Sequence, residues 1–174
     1  MYKLSNNYKQ FVDYGNVINP IINEIECILV LDDSKSQDLN KVLPAESDIR
    51  EIKMEALDYL ISYANFVLKD NVISEEELYD FTALKRVFRI EEGDFMKFKS
   101  LEVLDVLKQQ FLMMYSDNFI DKKEAITNVK LQIMFDLSFD EFEKLKQDEV
   151  ISALIEGADP RNLDISKLPK GFEF

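Results

Sequence analysis

The chain has 174 residues, 47% of them hydrophobic, enough for one compact domain with a modest extension. Its 34 acidic against 21 basic residues leave a net charge of −13, a field that repels nucleic-acid phosphate and attracts cations or a basic protein surface. With no histidine and Cys27 as the one cysteine, Ser-His-Asp and Cys-His catalysis, imidazole metal sites and an internal disulfide are excluded, and zinc is disfavoured.

A metal site in this chain must therefore be built from oxygen, which favours calcium, magnesium or manganese. No stretch reaches the roughly 18 uncharged apolar residues of a membrane-spanning helix. The longest candidate, Ile21 to Leu31, is interrupted by Asn23, Glu24 and Glu26. The first residues are polar and lack the apolar centre of a secretory signal, so no membrane insertion and a cytoplasmic location are expected.

With only 4 Gly and 4 Pro and apolar residues spaced by three and four, the pattern is helical throughout. Asn19-Pro20 reads as an N-cap followed by proline at the first helical position, opening a helix to about Leu31. Cys27 lies within that run, where a free cysteine is expected to behave as a small buried hydrophobe. Residues 32–46 read as a polar loop with a short turn at 39–43. Ser47 opens a longer helix to about Lys69, with Met54, Leu57, Ile61, Ala64 and Leu68 on one face. Ser74 opens the next, carrying Leu78, Phe81, Leu84 and Phe88. A short helix through Phe95 and Phe98 and another from Leu101 to Tyr115 follow. The last helices are expected at about 121–135, 138–146 and 148–155, with Gly157 as a C-cap residue. Asp159-Pro160 suits one more turn, and Leu168, Phe172 and Phe174 mark an aperiodic tail.

A duplication at a spacing of 47 residues organises the middle of the chain. Asp70-Asn71-Val72-Ile73-Ser74-Glu75-Glu76-Glu77 matches Asp117-Asn118-Phe119-Ile120-Asp121-Lys122-Lys123-Glu124 without a gap. Leu60 meets Leu107, Leu84 meets Leu131, Phe88 meets Phe135 and Phe95 meets Phe142. In all, 10 of the positions from 60 to 99 are identical to those from 107 to 146. Each unit reads as long helix, tight loop, second helix, short third helix. Neither hides its apolar face alone, so the expectation is an all-α helical domain of about seven to nine helices with pseudo-twofold symmetry. Its parts are an N-terminal helix and polar loop (1–46), a duplicated core (47–157, with units at about 54–99 and 101–146), and a tail (158–174). Ile126, Val129 and Ile133 add a second apolar face to the helix at 121–135, which is expected to be the most central. Phe81, Phe88, Phe95, Phe111 and the pair Met113-Met114 are expected in the core.

The repeated loop has one structural explanation and one chemical one. Ser74 with Glu77, and Asp121 with Glu124, have capping-box spacing, and Ile73 and Ile120 stand where a hydrophobic staple belongs. Capping explains less well why Asp70 and Asp117 precede both caps. If the loops approach one another, Asp70, Glu77, Asp117, Asp121 and Glu124 form a carboxylate cluster suited to a hard divalent cation. The loop is too short for an EF-hand and lacks its central glycine. With no phosphate loop, nucleophile motif or histidine beside the carboxylates, no catalysis is expected.

Over about residues 50 to 157 the chain resembles the tellurite-resistance TerB-like domains. Their duplicated signature, close to Asp-Gly-x-Ile-Ser-x-x-Glu, corresponds here to 70–77 and 117–124, followed by Phe88 to Phe95 and by Phe135 to Phe142. The resemblance implies an all-helical fold with internal symmetry and an acidic metal-binding surface at Asp70, Glu77, Asp117, Asp121 and Glu124. It also implies a non-catalytic adaptor in bacterial stress-response or defence complexes, with a protein partner of basic surface and no nucleic acid. Asn71 and Asn118 depart from the glycine, and Ser74 is a weaker ligand than Asp121. A different class of function, an acidic inhibitor or immunity-type protein blocking a basic site on its partner, fits the charge equally well.

Overall fold

The structure, a computed structural model, describes residues 4–15, 19–30, 46–114, 122–157 and 159–163. Every regular element among them is helical, as expected. Helix α1 spans Asn6–Tyr14, α2 Pro20–Val30, α3 Glu46–Val67, α4 Glu75–Val87 and α5 Asp94–Phe98. Then follow α6 at Ser100–Met114, α7 at Lys122–Phe135 and α8 at Phe139–Ile155, with 3-10 turns at Leu68–Asp70 and Pro160–Asn162. These contacts divide the chain into two units, Met1–Lys99 and Ser100–Phe174, so each unit holds one of the two sequence repeats.

In the first unit α1 packs on α3 and α4, α2 on α3, and α3 on α4. Pro20 opens α2 because its missing N–H falls where no helical partner exists, and Asn19 Oδ1 accepts the Ile21 N–H at 2.9 Å. Leu57, Leu60 and Ala64 of α3, Phe81 and Leu84 of α4, and Phe95 of α5 are fully buried. Tyr63, Phe81 and Phe95 form a stack with centroids 6.4 and 6.0 Å apart. Each such side chain contributes about 1.5–3 kcal/mol through the apolar area it removes from water.

In the second unit α6 packs on α7 and α8. Val103, Leu107 and Phe111 of α6, Leu131, Met134 and Phe135 of α7, and Phe142 and Val150 of α8 form its core. The ring of Phe142 meets Phe111 edge-on at 5.4 Å.

The 47-residue spacing recurs in backbone detail. Arg89 and Asp136, 47 apart, both take left-handed backbone, at φ 50° and 54°. Behind them Ile90 N–H reaches Lys85 C=O at 2.9 Å and Leu137 N–H reaches Gln132 C=O at 3.0 Å, the bond that closes a Schellman cap. Asp94 accepts the Glu91 N–H as Glu141 accepts the Ser138 N–H, again 47 apart. The repeated apolar pairs Leu60/Leu107, Leu84/Leu131, Phe88/Phe135 and Phe95/Phe142 are buried at both members.

Several expectations need correction. The expected break between 146 and 148 does not occur: α8 runs unbroken, because Asp148 sits in a helix whose buried stripe continues from Phe142 to Val150. Cys27 is exposed, since the face of α2 turned to α3 is Ile22, Ile25, Glu26 and Leu29. Ile126, Val129 and Ile133 are half-exposed rather than central. The buried face of α7 is Thr127, Lys130, Leu131, Met134 and Phe135, and residues one place earlier lie about 100° round the helix. Met113 is exposed for the same reason, two residues past the face ending at Phe111 and about 200° round the helix, and Met54 is exposed on α3. Helix α1 falls in a segment whose polar composition conceals the spacing of Leu4, Tyr8 and Phe11, all buried. The expected turn at 39–43 and the tail with Leu168, Phe172 and Phe174 lie outside the described residues.

Candidate functional site

The first repeated loop is built from helix ends. Asp70 Oδ1 accepts the Val72 N–H at 3.1 Å, and Asn71 takes the left-handed backbone (φ 59°) that asparagine tolerates better than most residues. Ile73 is buried just ahead of the cap. Ser74 Oγ accepts the Glu77 N–H at 3.2 Å, while Glu77 Oε2 accepts the Ser74 N–H at 2.8 Å and its hydroxyl at 2.7 Å. Two otherwise orphaned N–H groups are thereby satisfied. The same box recurs at Ser138 and Glu141, where the bonds from Ser138 hold the Glu141 carboxyl below its usual range.

Glu77 does one thing more. Its second oxygen, Oε1, accepts Asn7 Nδ2 at 2.8 Å, so both oxygens are engaged and the carboxylate ties α1 to the start of α4. Of the five candidate ligands, Asp70 and Glu77 are thus placed, each in a local hydrogen-bonding role. Asp117 and Asp121 lie outside the described residues, and the side chain of Glu124 does as well. Among the described residues no group of three or more acidic or thiol side chains is arranged to hold a metal ion.

One turn further along α4, Asp80 is 1% exposed. It accepts the Ser5 N–H at 3.0 Å, the Ser5 hydroxyl, and the Tyr63 hydroxyl at 3.1 Å. Burial raises its pKa above the ordinary 3.8, and the bonds from Ser5 and Tyr63 pull the other way. One turn earlier on α3, Tyr59 reaches a second buried acid: Glu26 is 5% exposed and accepts the Tyr59 hydroxyl at 2.8 Å. With its proton committed there, Tyr59 accepts in turn from Tyr8, at 2.8 Å. Burial raises Glu26 as well, against the opposing Tyr59 bond. Tyr8, Tyr59 and Tyr63 are all raised above 10, first by desolvation, so they stay neutral donors at physiological pH.

This network escapes a motif search because no short spacing encodes it. Its signal is an acid on an apolar face: Asp80 shares the stripe of Phe81, Leu84 and Phe88, and Glu26 that of Ile22, Ile25 and Leu29. Each residue there needs a hydrogen-bonding partner from another element. The carboxylates of Glu77, Asp80 and Glu26 thus serve cohesion of the first unit.

Two open grooves lie among the described residues. One, of about 450 Å³, lies between the start of α1 and α4 and is lined by Leu4, Ser5, Lys9, Glu75, Glu76 and Tyr79 above Asp80. The other, of about 410 Å³, lies between α6 and α8 in the second unit. No helix among the described residues is long and apolar enough to cross a membrane. No protein-family model, no curated protein and no solved structure matches this chain.

Proposed function

We propose that the chain is a non-catalytic, acidic helical adaptor of the TerB-like kind that binds the basic surface of a protein partner. The observation that carries this reading is the division of labour among the carboxylates. Glu77, Asp80 and Glu26 are buried, whereas Glu75, Glu76, Asp105 and Asp148 are exposed along open grooves with a net charge of −13 behind them. Such a surface steers and orients a cationic partner without offering a reactive centre. The resemblance in the repeated loops adds the setting, a bacterial stress-response or defence complex.

The test is thermal unfolding with chelator and then with millimolar calcium, magnesium or manganese, beside anisotropy of labelled lysine-rich peptides at low and high salt. A cation present at 100 times its dissociation constant stabilises the fold by about 2.7 kcal/mol. A rise lost in Asp70→Asn/Asp117→Asn, together with cation-dependent peptide binding, supports the adaptor. Cation-independent, salt-sensitive binding transfers the chain to the acidic-inhibitor class. Binding to none of the peptides at low salt overturns both.

A further inference from the structure

The groove of the second unit has a shape and a chemistry that specify an occupant. Its floor is Leu107 and Phe111 of α6, both buried, and its walls are Leu104 and Leu145, half-buried on facing helices. At one end Leu101 is 77% exposed. Asp105 and Lys108 on α6 and Asp148 on α8 are exposed along its edges. From Leu101 to Phe111 the groove follows α6 for ten residues, about 15 Å at 1.5 Å per residue.

We propose that this groove binds an amphipathic helical segment of a protein partner, about three turns long, with aliphatic anchors on one face and lysine or arginine beside them. The proposal rests on the adaptor reading and adds to it the kind of partner and the place of contact.

Three physical points select this occupant. Both walls are helices whose backbone groups are satisfied internally, so no sheet edge is offered and an extended peptide gains no main-chain bonds. A helix laid between α6 and α8 instead places residues i, i+3 or i+4 and i+7 over the floor, at the spacing of the leucines that line it. Asp105 and Asp148, one on each helix, outweigh the single lysine of the lining, Lys108, so lysines flanking the anchors meet net opposite charge within a chain whose whole field is negative. A second copy of this chain brings −13 of its own and is repelled. A small apolar ligand needs most of its surface enclosed, which an open trough does not provide.

The experiment uses the full chain and a fluorescein-labelled helical peptide of about four turns, with leucines at i, i+3, i+4 and i+7 and lysines elsewhere. Anisotropy is read for the parent, for Leu101→Glu, for Asp105→Lys/Asp148→Lys, and for Glu75→Lys/Glu76→Lys in the first unit as a charge control. All these positions are exposed, and circular dichroism checks that each variant keeps its helical signal. Saturable binding is expected, weakened about tenfold or more by each groove variant and less than twofold by the control. A peptide with glutamate in place of lysine is expected to bind the Asp105→Lys/Asp148→Lys variant better than the parent.

Equal, modest weakening by all the charge variants with none from Leu101→Glu means a diffuse field and overturns the groove, leaving the adaptor reading intact. Loss confined to Glu75→Lys/Glu76→Lys overturns it too and moves the contact to the first unit. Equal affinity for a peptide with scrambled leucines overturns the amphipathic helix. Displacement of a bound fatty-acid probe by no peptide, with that probe sensitive to Leu101→Glu, assigns the groove to a small apolar ligand instead.

Discussion

Tyr59→Phe is the sharpest probe of the buried network, because it removes one oxygen atom and keeps the ring. That ring contacts Phe11 at 5.3 Å and Phe88 at 5.7 Å, so packing changes little. The hydroxyl, however, links two otherwise inaccessible groups, Glu26 at 2.8 Å and Tyr8 at 2.8 Å. A hydrogen bond to a charged group is worth about 1.5–3 kcal/mol, and an orphaned buried hydroxyl costs about 1–3 kcal/mol. Glu26 recovers part of this by protonating, since its pKa is already raised and the bond opposing that rise is gone. The expected net loss is about 2–4 kcal/mol, or about 8–30 °C in the transition of the first unit. Thermal and urea unfolding by circular dichroism measure it, with the two units' transitions read separately where they resolve. Glu26→Gln keeps an acceptor for Tyr59 while removing the charge, and is expected to cost less than about 1 kcal/mol at neutral pH. A cycle with Tyr8→Phe should return a coupling of about 1 kcal/mol or more. If Tyr59→Phe changes the midpoint by less than 1 °C, or if Glu26→Gln costs as much, the hydroxyl chain is not what holds these elements together.

The raised pKa values of Glu26 and Asp80 mean that the folded state holds their protons more tightly than the unfolded state does. The stability they contribute is present below their ordinary values of 4.5 and 3.8 and is lost as pH rises through the raised ones, so Glu26→Gln should flatten the decline in melting temperature from mildly acid to neutral pH. Tyr8, Tyr59 and Tyr63 reverse nothing at neutrality, but above pH 10 the unfolded chain ionises while they do not. Alkaline unfolding should therefore begin there, and absorbance titration should show part of the 7 tyrosines ionising only with that transition. Ser74→Ala and Ser138→Ala each remove one capping box and should each cost about 1 kcal/mol in urea denaturation, additively because the caps lie in different units. Asn71→Ala puts an unsuited side chain at φ 59° and should cost about 1 kcal/mol, whereas Asn71→Gly should be neutral within about 0.5 kcal/mol; equal losses would deny that conformation.

What could be read without coordinates was local. Helix class, the starts at Pro20 and Ser74, the third-position glutamate of the first cap, the left-handed tolerance of Asn71 and the burial of Phe81, Phe88, Phe95 and Phe111 follow from interactions within a few residues or from apolar periodicity. What only the tertiary structure decided was which of two adjacent stripes turns inward. On α7 the stripes of Ile126 and Thr127 are both apolar enough to compete, and packing on α6 buries the second. The same holds for the partner of each buried acid. Asp80 meets Ser5 across 75 residues and Glu26 meets Tyr59 across 33, and periodicity along one helix carries no information about a donor on another. Asp70 and Glu77 show both sides at once: their roles as turn and cap were written in their neighbours, but the bond from Asn7 that occupies the last oxygen of Glu77 exists only because α1 folds back onto α4.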